Sequence, residues 1–452
     1  MEKVASIFSK LLFDSKRSQF LWAMTISALV LRIAIVIIAG NPHKPEMYEH
    51  GAIAHNLHTG HGFAMHWPYE SLDSSRVKLM RQPIRYETAY QPPLNPYLIY
   101  ATYLLFDETP TAIILLMLFY SVVSATIPLL VFRTGILIDN ENSARVSTLI
   151  SVLFLPAAVG VITFSGSPLY QVLGLMTFYF ALLSAHRPSL RSFFYLGLSC
   201  GTMILLRSEF LIIGFIFIIL ATYFAWKHSA INHNVAKGVL ALIICVSIIA
   251  PWTYRNYALF HKFIPTVDRP WHEIWRGHNQ YSTPTGFDAE GRAVWIHASR
   301  FPKIVAAMDS IPYDQQFTIR VDSIFKHEAL AYIGSHPLQS FGLDGLKVLE
   351  LCTVVLSPGI PANPLYYILM FGVTLSTLFG MNSLVRADRR NHRYSNSLLY
   401  CCFFLYYCFI IALTFILPRY QIYIYTSILP LSGVGIYHAF SFKLHGIDEI
   451  PE

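Results

Sequence analysis

Ten separate stretches of the chain are apolar over lengths close to that of a bilayer core: residues 20–40, 111–132, 146–163, 168–185, 192–206, 210–226, 238–254, 361–385, 397–417 and 421–440. A hydrocarbon core about 30 Å thick takes about 20 residues of helix. Inside it, only structures that satisfy their own backbone N–H and C=O groups survive. Repeated ten times, the pattern restricts the chain to an all-α polytopic membrane protein. Two stretches, 192–206 and 210–226, are short. They flank Arg207-Ser208-Glu209 and read as a hairpin whose tip reaches one interface. Composition agrees where it decides something: 13% of the residues are charged and 54% hydrophobic. A soluble domain carries about twice that charge density, and a disordered chain is charge-rich and apolar-poor. The first stretch follows a basic segment, is too long for a signal-peptide core and lacks a clear cleavage site, so it reads as a span.

Lys and Arg in short loops orient such a chain, the basic loops staying in the cytoplasm. With the amino terminus inside, ten alternating spans leave every short inside connection basic, from Lys16 and Arg17 through Arg133, Arg145, Arg187, Arg191, Lys227 and Lys237 to Arg386, Arg389, Arg390, Arg393 and Lys443. Both termini are then cytoplasmic. That face holds fifteen of the 33 basic residues and eight of the 26 acids, so the whole formal charge of +7 belongs to it. The basic residues are dispersed rather than clustered, which argues against nucleic acid as a partner. Residues 1–440 read as a single transmembrane domain and 441–452 as a cytoplasmic tail. Two long connections, about 41–110 and 255–360, fall on the outer face. The stretch 338–357, carrying Asp344, Lys347 and Glu350, reads as an amphipathic helix on or partly in the membrane. No matching halves point to a repeat-built transporter. The six cysteines all lie in apolar stretches, which implies neither a disulfide framework nor a zinc site.

The outer loops hold the candidate chemistry. Glu46 and Glu49 follow the first span within a segment whose Tyr48, Ala52, Ile53 and Leu57 suit an interfacial helix. A carboxylate there could act as a general base or a metal ligand. Acids at a helix start also fit that helix's dipole. Arg207, Arg255 and Arg419 stand at outer span ends, where the guanidinium fork suits phosphate and where interfacial anchoring is the plain alternative. Arg32, inside the first span, must face protein or water, with Glu209 or another acid as its expected partner. Trp271, Trp275 and Trp295 with His272, His278 and His297 suit either sugar contacts or an aromatic interfacial belt. No P-loop, dinucleotide fingerprint or nucleophile elbow is present. The absence of an Asn-x-Ser/Thr sequon is consistent with a bacterial inner membrane.

Taken in order, several motifs resemble the GT-C glycosyltransferases, in particular the group of dolichyl-phosphate-mannose–protein mannosyltransferases and aminoarabinose transferases. These are the acid after span one, Ala54-x-Asn56-Leu57, Gly60-x-Gly62-Phe63 and Pro92-Pro93-Leu94-x-Pro96-Tyr97. Pro251-Trp252-x-x-Arg255-Asn256 follows at the end of span seven, then Ile274-Trp275-Arg276-Gly277-His278-Asn279, where His278 stands in place of the family's first Asn. Ala329 through Pro337, Pro418-Arg419-Tyr420 and Leu429-Pro430-Leu431 complete the set, which covers most of residues 20–440.

The resemblance implies a GT-C fold of about ten transmembrane helices, with juxtamembrane helices in the two outer loops. It implies transfer of a sugar, with inversion, from a polyprenyl-phosphate donor to a glycan, lipid or protein acceptor on the extracytoplasmic face. Glu46 then matches the family's loop-one acid, usually Asp, and Glu49 the second acid nearby. Donor phosphate would be bound by Arg207, Arg255, Arg419 and Tyr420, and substrate by Gln91, Trp275, Gly277, His278 and Asn279. No cofactor is required on this reading, although a divalent metal is possible. A transporter, a flippase or a catalytically silent homologue handling lipid-linked saccharides is the alternative.

Overall fold

The computed structural model describes residues 15–45, 47–67, 84–228, 231–292, 294, 300–312, 314–356, 363–391 and 394–445. Glu46, Trp295 and His297 lie outside them. Helix α1 (Arg17–Ala39) is followed by α2 (Tyr48–His58), strands β1 (Ala64–Trp67) and β2 (Ile84–Glu87), and α3 (Leu94–Phe106). Next come α4 (Pro110–Ser124), α5 (Ile127–Ile138), α6 (Glu141–Leu153), α7 (Leu155–Val159), α8 (Ser167–His186), α9 (Leu190–Leu206), α10 (Phe210–His228) and α11 (Ile231–Phe260). The second long connection folds into α12 (Pro270–Gly277), α13 (Pro302–Asp309), α14 (Phe317–Ser335) and α15 (Pro337–Cys352). Helices α16 (Pro364–Asn391), α17 (Ser395–Leu413) and α18 (Pro418–His445) close the bundle. Apart from the two-stranded antiparallel ladder, in which Ala64 faces Glu87, the fold is all-α.

Each of the ten apolar stretches is helical, and the protein is a multi-pass membrane protein. Seven helices among the described residues are individually long and apolar enough to cross a bilayer. The pair around Leu153, bent by 52°, makes an eighth. Two expected spans fall short of that standard for different reasons. Helix α9 is apolar but only 17 residues long. Helix α18 is 28 residues long but rich in polar side chains. Those side chains face protein: Gln421, Thr426, Ser427 and Ser432 are fully buried. The Gln421 amide donates to the carbonyls of Glu350, Leu351 and Thr353 at 2.9–3.0 Å. Such contacts, with close backbone approach at small residues, hold helices together where lipid removes the hydrophobic drive. Gly380 of α16 is one such place, since a Cβ there would lie 1.8 Å from the Leu431 carbonyl oxygen of α18.

Helix α15 carries its amphipathicity turned round. Leu338 and Phe341 are 87% and 79% exposed, while Lys347 is fully buried. Arg32 is also fully buried, but it meets no acid among the described residues. It donates instead to Ser124 Oγ at 2.6 Å and to the Ala28 carbonyl at 3.0 Å. All six cysteines are free thiols.

Two cores result. One runs through α8–α11 and α16–α18 within the bundle. The other lies in the loop layer, where Trp252, Phe260, Trp275, Phe301, Phe317 and Phe325 pack with Ile53, Phe63 and Tyr86.

Candidate active site

At the loop-layer end of the bundle, several connections meet around one cavity of about 500 Å³. The first turn of α2 supplies Glu49 and His50, and the entry to α3 supplies Tyr90, Gln91 and Pro92. The α9–α10 turn supplies Arg207, Ser208 and Glu209, and α12 supplies Glu273 and Arg276. Phe415, Arg419, Tyr420 and Tyr423 come from the junction of α17 and α18. Leu211, Ile212, Ile410, Ile411 and Leu413 give the cavity an apolar flank between α10 and α17.

Its cationic wall is built from ring faces and helix ends. Helix α9 stops where Arg207 turns extended (φ −147°, ψ 116°). The Arg207 guanidinium lies 5.2–5.6 Å from the rings of Tyr170, Tyr420 and Tyr423. Its Nε is 3.4 Å from Glu209 Oε1, and its buried Nη2 has no hydrogen-bond partner among the described residues. Pro418 starts α18 and places Arg419 over the Tyr420 ring at 5.3 Å. Arg276, in the last turn of α12, sits 4.3 Å from the Phe415 ring, with its Nη1 3.4 Å from Glu273 Oε2.

The charges act on their neighbours. Burial, then Arg207 and Arg419, depress His50 to about 3, so the imidazole is neutral near pH 7. Burial opposes ionisation of Glu273, but Arg276 and His272 hold its carboxyl down at about 2. Burial likewise opposes the charge on Arg207, yet Glu209 keeps its pKa above the ordinary value. Three arginines, each with an aromatic ring against its guanidinium, line one cavity, an arrangement whose charge and donors suit an oxyanion.

Among the residues singled out from sequence, Glu49, Gln91, Arg207, Arg419 and Tyr420 come together on this cavity. Arg255 does not line it. Arg255 Nη1 donates to the Thr88 carbonyl at 2.8 Å and Nη2 to the Phe63 carbonyl at 3.3 Å, so it fastens one end of the β1–β2 ladder, where β1 begins and β2 ends, to α11. Trp275, Gly277, His278 and Asn279 also lie away from the cavity lining and serve the loop layer. Trp275 is a buried core residue in contact with Phe301 and Phe325 rather than a sugar platform or belt residue. A Cβ on Gly277 would come within 1.8 Å of the Thr414 carbonyl oxygen, so only glycine lets α12 meet the end of α17. His278 Nε2 pairs with Asp344 Oδ1 at 2.9 Å, and Asn279 donates to the Trp275 carbonyl at 2.9 Å.

Sequence reasoning missed Arg276, Glu273, His50, Tyr170 and Tyr423. Arg276 lies inside the motif around Trp275, but one residue further along α12 turns its side chain about 100° away from the Trp275 side chain and towards the cavity. Tyr170 and Tyr423 carry no local signal, because they matter only as faces around Arg207. Among the described residues, no group of three or more His, Cys, Asp or Glu is placed to hold a metal ion.

No protein-family model matches the chain, and no curated protein matches it. Solved structures do. The oligosaccharyltransferase of Archaeoglobus fulgidus in its apo form is 13% identical, with a TM-score of 0.54 over 96% of this chain and 52% of that one. The oligosaccharyltransferase AglB from Archaeoglobus fulgidus in complex with an inhibitory peptide and a dolichol-phosphate is 15% identical with a TM-score of 0.54, over 96% of this chain and 51% of that one. ArnT of Cupriavidus metallidurans bound to undecaprenyl phosphate is 14% identical with a TM-score of 0.39, over 94% and 79%. The chain spans about half the length of the oligosaccharyltransferase structures it matches. Its fold is the all-α polytopic GT-C fold.

Proposed function

We propose that the protein is an integral-membrane glycosyltransferase that moves a sugar, with inversion, from a polyprenyl-phosphate donor to an acceptor hydroxyl at the extracytoplasmic face. The observation that carries this reading is the cavity itself, whose lining brings together Glu49 and the aromatic-backed Arg207, Arg276 and Arg419. The apolar flank between α10 and α17 suits the lipid chain. The dolichol-phosphate held by AglB, a protein of the same fold, supports a lipid phosphate as the donor class.

In this mechanism a carboxylate takes the proton of the acceptor hydroxyl as its oxygen attacks the anomeric carbon. The bond from that carbon to the phosphate oxygen breaks, and the electron pair leaves with the lipid phosphate. The arginines hold the charge that develops. Glu49 or Glu46 is the base. Glu49 lines the cavity, and Glu46 stands three residues before it in sequence. Neither step calls on a metal. A chelator control distinguishes a divalent-ion requirement, as Glu46 lies outside the described residues.

The test uses purified full-length protein in lipid nanodiscs with polyprenyl-phosphate sugars, reading acceptor-dependent release of polyprenyl phosphate. Glu46→Gln and Glu49→Gln are assayed separately. Loss of a general base lowers the rate by about 10²–10⁴-fold. We expect one of the two variants to show that loss while still binding donor. Full activity in both would remove the loop-one carboxylates as the base. Movement of lipid-linked sugar across the bilayer with no polyprenyl phosphate released would make the protein a transporter instead.

A further inference from the structure

The Arg207–Glu209 pair differs in kind from the other acid–arginine pair on the cavity. Glu273 is held from three sides: Arg276 at 3.4 Å, His272 Nδ1 at 3.1 Å and the Tyr90 hydroxyl at 3.5 Å. It is a fixed part of the wall. The Glu209 carboxylate has one polar partner among the described residues, Arg207 Nε at 3.4 Å. Its backbone is pinned, because its carbonyl accepts the Tyr406 hydroxyl, and its side chain is a quarter exposed. So the residue cannot leave, but its carboxylate can swing.

Arg207 is constrained in the complementary way. Tyr170, Tyr420 and Tyr423 close around its guanidinium, and its Nη2 is buried without an acceptor among the described residues. A buried cationic donor without an acceptor is costly, so this edge favours an incoming anion. An anion that reaches Arg207 comes close to the Glu209 carboxylate, and the two repel. That repulsion scales with the charge of the ligand.

We propose that Glu209 is a built-in counter-anion, which balances Arg207 before the donor phosphate arrives and then weakens the hold on the more highly charged lipid phosphate left after transfer. The inference rests on the phosphate-binding reading of the cavity. Its chemistry follows from the two ligands. A sugar–phosphate diester carries one negative charge, whereas the released monoester carries close to two above its second ionisation near pH 6. Glu209 therefore opposes product more than donor and serves as a specificity-determining and release residue.

The experiment measures binding of undecaprenyl phosphate and of its monomethyl ester to the full-length protein in nanodiscs at pH 8, with Glu209→Gln, Glu209→Asp and Arg207→Gln. We expect Glu209→Gln to bind the monoester about tenfold tighter and the methyl ester about threefold tighter, the logarithm of the gain following ligand charge. Glu209→Asp keeps the charge and stays near wild type, and Arg207→Gln loses affinity for both ligands. In turnover, Glu209→Gln lowers kcat and KM together as product release slows. Equal gains for both ligands, or no gain, in a Glu209→Gln protein whose thermal unfolding matches wild type would overturn the proposal and leave the phosphate site standing. Absence of wild-type binding to either ligand would remove the phosphate site and the proposal together.

Discussion

Asp322 of α14 is buried beneath the site, with its Oδ1 accepting the backbone N–H of His272 at 3.0 Å. Burial, only partly opposed by that hydrogen bond and by Arg269, pushes its carboxyl up to about 7. The unfolded value is near 4. The folded state therefore binds the proton more tightly. The stabilisation is fully present below about pH 4 and is lost as pH rises through 7. Asp322→Asn keeps an acceptor for the His272 N–H and removes the titration. We expect its melting temperature to vary less than that of wild type between pH 5 and 8, by a few degrees, in thermal unfolding of the detergent-solubilised protein. Equal slopes for the two proteins would mean that Asp322 does not carry the proton. At this scale the sequence was a partial guide. Glu49, Gln91, Arg207, Arg419 and Tyr420 were recognisable as residues of the right chemistry at outer span ends. Arg255 has the same chemistry in the same kind of place, yet its guanidinium is committed to the Thr88 and Phe63 carbonyls. Residue type and topology cannot separate an arginine that lines the cavity from one committed to backbone carbonyls, because the committing carbonyls lie more than 160 residues away.

Helix α15 shows what an element adds. Its alternation of charged and apolar residues was legible as amphipathic, but the usual assumption turns charge outward. Here Lys347 Nζ points inward, 2.9 Å from both Asp344 Oδ1 and the Ala412 carbonyl, and Asp344 also meets His278. Leu338, Phe341 and Leu349 face out, as suits a helix bathed in hydrocarbon. The Lys347 contacts join α15 to α17 just before Phe415 and Arg419 enter the cavity wall. Breaking a buried ion pair by removing one partner costs about 3–5 kcal/mol. We expect Lys347→Met to destabilise the protein by that order and to raise hydrogen exchange in α15 and at residues 412–420 ahead of the rest. Unchanged exchange there would show that α15 is held by packing alone.

For the whole molecule, the connections that build the cavity all emerge at one end of the bundle, and the basic short loops at the other. By the positive-inside rule the cavity is expected on the outer face. With the six native cysteines blocked or replaced, a Lys262→Cys variant in intact cells should react with a membrane-impermeant maleimide. An Asn391→Cys variant should react only after permeabilisation. The reverse pattern would invert the topology. The helical, membrane-spanning class was readable from the chain alone, because hydrocarbon admits only self-satisfied helices; of the ten expected spans, seven helices, or eight with the bent pair, are long and apolar enough to cross among the described residues. Tertiary structure alone decided which helices meet lipid, as α18 shows by burying its polar residues against α6, α8 and α16. It alone decided that Arg276 belongs to the cavity while Trp275, His278 and Asn279 belong to the loop-layer framework. The reason is physical: insertion energy is additive along the sequence, whereas a site depends on which side chains converge from distant segments and on which of them already have partners.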